Sequence, residues 1–209
     1  ANVSGRVPVY TGSTIALSSP DIINHIIFGE LQGLTDNDYL NNVAIYDVAG
    51  YNWEYAFTVD KKINSKKLIE GIASASPYIP RFGNMGNFRF DIIPMDGGTI
   101  GDSDNHHIKE ADVIDFSFSR TPIEDVYTKI EFQYNWDYAR GKFNDSVEAD
   151  TDMIVGYKPE YYGLKDDHPD STLVIDDDRG KYIRKSDSHD TAKAFAEWYL
   201  LWSCNQHLK

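Results

Sequence analysis

Apolar and polar positions alternate along Ile114 to Tyr134 more regularly than anywhere else in the chain. Ile114, Phe116 and Phe118 fall on one side, and Asp115, Ser117 and Ser119 on the other. Further on, Val126, Thr128, Ile130, Phe132 and Tyr134 alternate with Tyr127, Lys129, Glu131 and Gln133. A period of two places successive side chains on opposite faces of a strand. Both segments are therefore predicted as strands with one buried and one wet face. The linker from Arg120 to Asp125 is too long for a two-residue hairpin turn. Its Pro122 fixes its own φ and keeps Thr121 out of the helical region.

A helical period replaces the alternation elsewhere. After a weak extended segment at Val7 to Leu17, Ser19, Pro20 and Asp21 form a helix start, with Ser19 as the expected N-cap. Ile22, Ile23, Ile26, Ile27 and Leu31 follow on one face, and Gly33 is the expected C-cap. Leu34 to Trp53 is rich in Asn and Asp and reads as loop. Tyr55 to Val59 reads as a short strand. Ser65 is expected to cap a second helix with Leu68, Ile69, Ile72 and Ala73 as its apolar stripe. Pro77 and Pro80 should end that helix, and Gly83 to Gly86 should turn the chain into a strand carrying Phe88, Phe90 and Ile92.

Asp96 to His107 is polar and Gly-rich, an expected loop. Trp136 to Asp152 reads as loop or edge excursion, and Met153 to Tyr162 and Thr172 to Ile175 as strands. Gly163 to Asp170 and Asp176 to Gly180 supply turns. A last helix opens at Asp187 and Ser188, with Ala192, Phe195, Ala196, Tyr199, Leu200 and Trp202 near its apolar side. The expected fold is α+β, with several antiparallel strands and about three helices. It is expected to divide into an N-terminal α+β part, 1–110, and a β-rich part ending in a helix, 111–209.

The chain has 209 residues, 41% of them apolar and 13% aromatic, a globular composition able to bury a real core. Its net charge of -13 disfavours non-specific nucleic-acid binding and adhesion to anionic membrane, both of which need clustered Lys and Arg. Cys204 is the single cysteine, so neither an intrachain disulfide nor a cysteine-based metal site can form. No apolar run approaches the ~20 residues that span a bilayer. The N-terminus lacks the layout of a signal peptide. The chain begins without Met and ends at Lys209 just after a helical segment, so it is expected to be a piece of something longer.

Few residues suggest chemistry. Asp102, Ser103, Asp104, Asn105, His106 and His107 offer oxygen and imidazole donors. A calcium loop, however, needs Gly at its sixth position and Glu at its twelfth, where His107 and Val113 stand. A solvated loop is the expectation there. Asp176, Asp177 and Asp178, with Asp166 and Asp167 nearby, could suggest the paired carboxylates of glycoside hydrolysis. Consecutive Asp residues before Arg179 and Gly180 read better as a turn. Gly83, Asn84, Met85 and Gly86 are followed by a strand and no Lys, unlike a phosphate loop. Cys204 reads as a buried structural thiol. No catalytic, cofactor-binding or metal-binding residue, and no cofactor, is expected.

The order of elements carries more than any one residue. A helix on Pro20 to Leu31 precedes an extended segment, the SKKLIEGIA helix and the strand Gly86-Asn87-Phe88-Arg89-Phe90. Ser119-Arg120-Thr121, then Val126 to Tyr134, Tyr162-Gly163 and the helix Ala192 to Leu201 follow. From about Pro20 onward this order resembles the tail-hub and baseplate-hub proteins of tailed bacteriophages and the related secretion-system spikes. Thr128 stands where that family often has Asn. The resemblance implies a structural subunit of the virion tail. It would form a ring, commonly a trimer, with copies of itself, contact other tail proteins, and act by assembly and not by catalysis. It also implies that the second part is a truncated hub domain. An acidic surface would keep DNA from sticking in a central channel.

Two other readings belong to different classes. A tail-associated enzyme acting on peptidoglycan or polysaccharide would draw carboxylates from Asp102, Asp104 or Asp176 to Asp178. A carbohydrate- or receptor-binding module would use Trp53, Trp136 and exposed tyrosines as stacking platforms.

Overall fold

A computed structural model describes residues 18–31, 53–59, 62–82, 88–92, 119–153, 171–186 and 190–204. Its elements are α1 (Ser19–Asn24), which continues as a wide π-helical turn over His25–Glu30, α2 (Ser65–Ser74), β1 (Tyr78–Phe82) and β2 (Phe88–Ile92). After these come β3 (Lys129–Asp137), β4 (Lys142–Asp150), β5 (Thr172–Ile175) and α3 (Thr191–Ser203). The fold is α+β.

The alternation at Val126 to Tyr134 is realised in β3 and the residues leading into it. Val126, Thr128, Ile130, Phe132 and Tyr134 are all buried, while Tyr127, Lys129, Glu131 and Gln133 are half-exposed. β3 is the central strand of a three-stranded sheet ordered β4-β3-β5. β4 runs antiparallel to it, with Ile130 opposite Ala149 and Phe132 opposite Val147. β5 runs parallel to it, with Ile130 beside Leu173 and Phe132 beside Ile175. That parallel pairing departs from the expected antiparallel arrangement. Asp150 at the end of β4 and Thr172 at the start of β5 both stand beside Lys129, so β5 enters the sheet at the end where β4 leaves it.

The stretch expected as loop or edge excursion from Trp136 to Asp152 is the end of β3, a turn and all of β4, which lies at the edge of the described sheet. Lys142 to Asp150 has only Phe143, Val147 and Ala149 as apolar residues, yet they alternate, and the even-numbered positions from Lys142 to Glu148 are exposed. Turn chemistry makes the hairpin. The Asp137 carboxylate accepts from the Ala139 and Arg140 N–H groups at 2.9 and 3.1 Å, and Gly141 takes φ +65. A left-handed residue of this kind favours glycine.

α3 covers one face of the sheet. Ala192, Phe195, Ala196, Trp198 and Leu200 are buried, and the Phe195 ring lies 4.6 Å from that of Phe132. Burying one such side chain fully is worth roughly 1.5–3 kcal/mol. Trp202, expected near the apolar side, is 41% exposed, and Trp198 takes the inward place. The reason is that α3 is packed on two sides. Trp53 lies edge-on to both Phe195 and Trp198, at 6.3 and 6.1 Å.

Residues 53–59 do not form the expected strand. They run extended as a tie between elements. Glu54 N–H donates to Thr191 Oγ1, Ala56 N–H to the Tyr182 carbonyl, Thr58 N–H to the Tyr138 hydroxyl, and the Tyr55 hydroxyl to the Ala75 carbonyl. Each bond goes to a different neighbour, so no ladder develops.

Two helix starts fall one residue earlier than expected, while Asp190 caps α3, later than the expected opening at Asp187 and Ser188, by accepting from Lys193 N–H. Ser18, not Ser19, caps α1 by accepting from Asp21 N–H, and Asn64, not Ser65, caps α2 by accepting from Lys67 N–H. α2 ends before Pro77, but Pro80 lies within β1, opposite Phe90. A proline lacks the donor a central strand needs, and among the described residues β1 pairs with β2 alone and so forms an edge, where proline is tolerated. β2 carries Phe88 and Phe90, both buried, with the two rings edge-on to each other and Phe90 edge-on to Tyr78.

One contiguous apolar core draws on both sides of the expected boundary at 110/111, with Ile23, Tyr55 and Ile72 in the same cluster as Ile130, Phe132 and Phe195. The boundary itself lies outside the described residues. So do the expected strand from Ile114 to Phe118, all but the last residue of the expected loop Leu34 to Trp53, the loop at Asp96 to His107, the turn at Gly83 to Gly86, all but the first residue of the expected strand Met153 to Tyr162, and Tyr162-Gly163. Thr151–Met153 is a single 3-10 turn.

Candidate functional site

The acidic run Asp176 to Asp178 is built into a turn that fastens β5 onto the sheet. Asp177 caps a 3-10 turn over Asp178–Lys181 by accepting from the Arg179 N–H at 3.0 Å. Its carboxylate also accepts from Arg179 Nε at 2.9 Å and Nη2 at 2.6 Å. The guanidinium lies over the Tyr199 ring, 5.0 Å from its centroid. Asp178 pairs with Lys181 at 2.6 Å, and the Lys181 ammonium stands 4.5 Å from the centre of the Trp136 ring. Asp176 is exposed.

These partners decide what the carboxylates can do. Burial pushes Asp177 upward, but the Arg179 guanidinium and N–H outweigh it, and the group ends below the ordinary carboxylate range. A glycosidase's general acid must be held in the opposite direction. The turn and Ser74 of α2 line only an open depression. Asp102, Asp104, His106, His107, Asp166 and Asp167 lie outside the described residues. Among the described residues, no group of three or more His, Cys, Asp and Glu side chains is gathered as metal ligands would be.

Trp53 is in the core at 6% exposure and offers no stacking platform. Trp136 is half-buried, with the Phe143 ring edge-on at 4.9 Å and Lys181 over its face. The expectation of a stacking site therefore fails at both residues, because packing has already occupied their rings. Cys204 is fully buried, its thiol pushed up to about 11 by burial. A thiol so protonated is a packing group and not a nucleophile.

Two features were not singled out from sequence. Asn135 takes φ 58 inside β3. Its Nδ2 donates to Asp145 at 2.6 Å and its main-chain N–H to the Ile183 carbonyl at 3.0 Å, while Lys185 reaches Asp145 at 3.3 Å. Asparagine is among the few non-glycine residues that enter this region readily, and it stands where the apolar alternation of β3 gives way to Trp136. The Asn135 bond above all, with Lys185, holds Asp145 below the usual carboxylate range.

The second feature is the sheet face opposite α3. Its middle row is Glu148, Glu131 and Val174, in register across β4, β3 and β5. In the next row Lys129 pairs with Asp150 at 3.1 Å beside Thr172. On the other side Gln133 faces Ser146. Glu148, Ser146, Thr172 and Val174 are all exposed. No helix among the described residues is long and apolar enough to cross a membrane. Comparison of the chain with protein-family models, with curated proteins and with solved structures finds no match to any of them.

Proposed function

We propose that this chain is a structural subunit of a bacteriophage tail or tail-like machine, a hub or baseplate component that acts by assembly. The observation that carries the reading is the two-sided sheet. One face is covered by α3, and the other presents mostly polar side chains of β4, β3 and β5, with Glu148, Ser146 and Thr172 exposed. An open strand face of this kind suits contact with a neighbouring subunit better than it suits enclosing a small substrate. Two further points support it. The order of elements resembles that of tail-hub proteins, and Asp177 and Asp178 are engaged by Arg179 and Lys181. In this reading the protein belongs to the virion, forms a ring of copies, a trimer being expected, and meets other tail proteins.

Light scattering of the purified chain, with electron microscopy of the same sample, tests the proposal. Ring-shaped particles of defined multiple mass are expected. A chain that stays monomeric at every concentration would remove the ring, and cleavage of peptidoglycan or polysaccharide by the pure protein would replace the structural reading with an enzymatic one.

A further inference from the structure

The open sheet face breaks a local rule of strand pairing at one place. Glu131 and Glu148 stand directly opposite each other on β3 and β4. Directly opposed side chains in an antiparallel pair have Cβ atoms only about 4.5–5.5 Å apart, and like charges there repel. The adjoining row follows the rule, with Lys129 bonded to Asp150. Lys142, Lys181 and Lys185 all belong to the far end of the sheet, where Lys181 and Lys185 are paired with Asp178 and Asp145. Neither Glu131 nor Glu148 has an ion-pair partner among the described residues. Beside Glu131 on β5, Val174 is 47% exposed. The row thus sets two carboxylates without an ion-pair partner among the described residues next to an exposed apolar side chain.

We infer that this face docks a basic segment of a different protein, an extended stretch whose Lys or Arg side chain reaches Glu131 and Glu148 while an apolar neighbour covers Val174. The inference rests on the assembly reading above and names the partner of that surface. Charge complementarity selects the occupant. A second copy meeting this face two-fold through its own would bring Glu131 and Glu148 against themselves, so the head-to-tail contacts of the ring are left to other faces of the chain. A cationic side chain entering between the two carboxylates converts that repulsion into attraction and gives the contact its register.

The test uses the full chain, labelled with nitrogen-15, and a synthetic nonapeptide alternating Lys and Val, with a Glu-for-Lys peptide as control. Shift changes on adding the Lys peptide should concentrate on β3, β4 and β5 around Glu131, Glu148 and Val174. They should weaken as salt is raised and be missing with the Glu peptide. The double variant Glu131→Gln/Glu148→Gln should bind about tenfold more weakly, while Glu70→Gln/Glu197→Gln, which changes net charge equally, should not. Equal weakening by both pairs, or shifts scattered over the surface, would reduce the effect to net charge and overturn the inference. Self-association that Glu131→Lys abolishes would overturn it in favour of a second copy. A ring that forms without binding the peptide sinks this inference alone. A monomer that binds the peptide at this face sinks the ring alone.

Discussion

Thr128 and Ser171, 43 residues apart, hold each other by reciprocal main-chain and side-chain bonds. The Thr128 N–H donates to the Ser171 carbonyl at 2.9 Å, and the Ser171 N–H donates to the Thr128 hydroxyl at 2.9 Å. The Thr128 carbonyl accepts in turn from Thr151 N–H at 3.1 Å, just past the end of β4. One buried residue therefore fixes where both neighbours of β3 meet it. Thr128→Val keeps the shape but leaves the Ser171 N–H without its acceptor. A loss of about 1–3 kcal/mol is expected, read from urea unfolding, with Thr128→Ser retaining most of the stability. A Val variant as stable as the parent would mean that water replaces the hydroxyl.

Gly180 marks a second close approach. A Cβ there would overlap the Gln133 carbonyl oxygen and come within 2.9 Å of Phe143 Cε1. The obstacle is the main chain of the central strand, which cannot swing aside as a side-chain tip would. Gly180→Ala should cost about 1–3 kcal/mol, as overpacking does, and should loosen the Asp177–Arg179 turn with it. Thermal unfolding measures the first effect. Faster amide exchange at Gly180 and Tyr182, whose N–H groups bond within the turn, measures the second.

What the chain made legible depended on how many apolar residues reported each element. β3 and the residues leading into it carry five inward positions from Val126 to Tyr134, all apolar but Thr128, and the two faces could be read directly. α2, β2 and α3 were legible for the same reason, although the caps of the two helices moved by a residue or more. β4 stayed undecided between loop and edge excursion because Asn144, Asp145, Ser146 and Glu148 swamp a weak alternation, and its formation is decided by pairing with β3. β1 was missed because Pro80 reads as a breaker unless the strand is known to be an edge. The parallel placement of β5 lies in long-range bonds such as Thr128–Ser171, which no local pattern encodes. At the acidic turn, composition showed the carboxylates but not that Arg179 and Lys181 fold back onto them. The row Glu148–Glu131–Val174 needed a register across three strands, which exists only once the sheet is formed.

Two kinds of carboxylate should give opposite pH responses. Asp145 is held below its ordinary value by Asn135, and Asp177 by Arg179 against burial. A lowered folded-state value stabilises fully above the unfolded value of about 3.9 and is lost as pH falls through the folded value. Asp21 is raised, because burial outweighs the Ser18 hydroxyl bond. Its contribution is full below about 3.9 and is lost as pH rises through its folded value. The urea midpoint should therefore drop as pH falls below about 4, and Asp145→Asn should flatten that drop. Asp21→Asn should raise the midpoint at neutral pH and change it little in acid. A higher midpoint in acid alone would reverse the assignment for Asp21.

Trp53 tests whether residues 53–59 are structural or present a ligand surface. The ring lies edge-on to Phe195 and Trp198, and the next N–H along, that of Glu54, is bonded to the Thr191 hydroxyl at the start of α3. Removing the ring leaves a cavity against α3, since Phe195 is held from the other side by Phe132 and cannot move to fill it. Trp53→Ala should cost about 3–5 kcal/mol, as large-to-small core changes do, and Trp53→Phe clearly less. Fluorescence separates the two roles. Emission lost in Trp53→Phe should be that of a buried indole, shifted to the blue, and added oligosaccharide should leave it unchanged in the parent. A stable Trp53→Ala protein whose parent emission responds to sugar would place Trp53 on a binding surface instead.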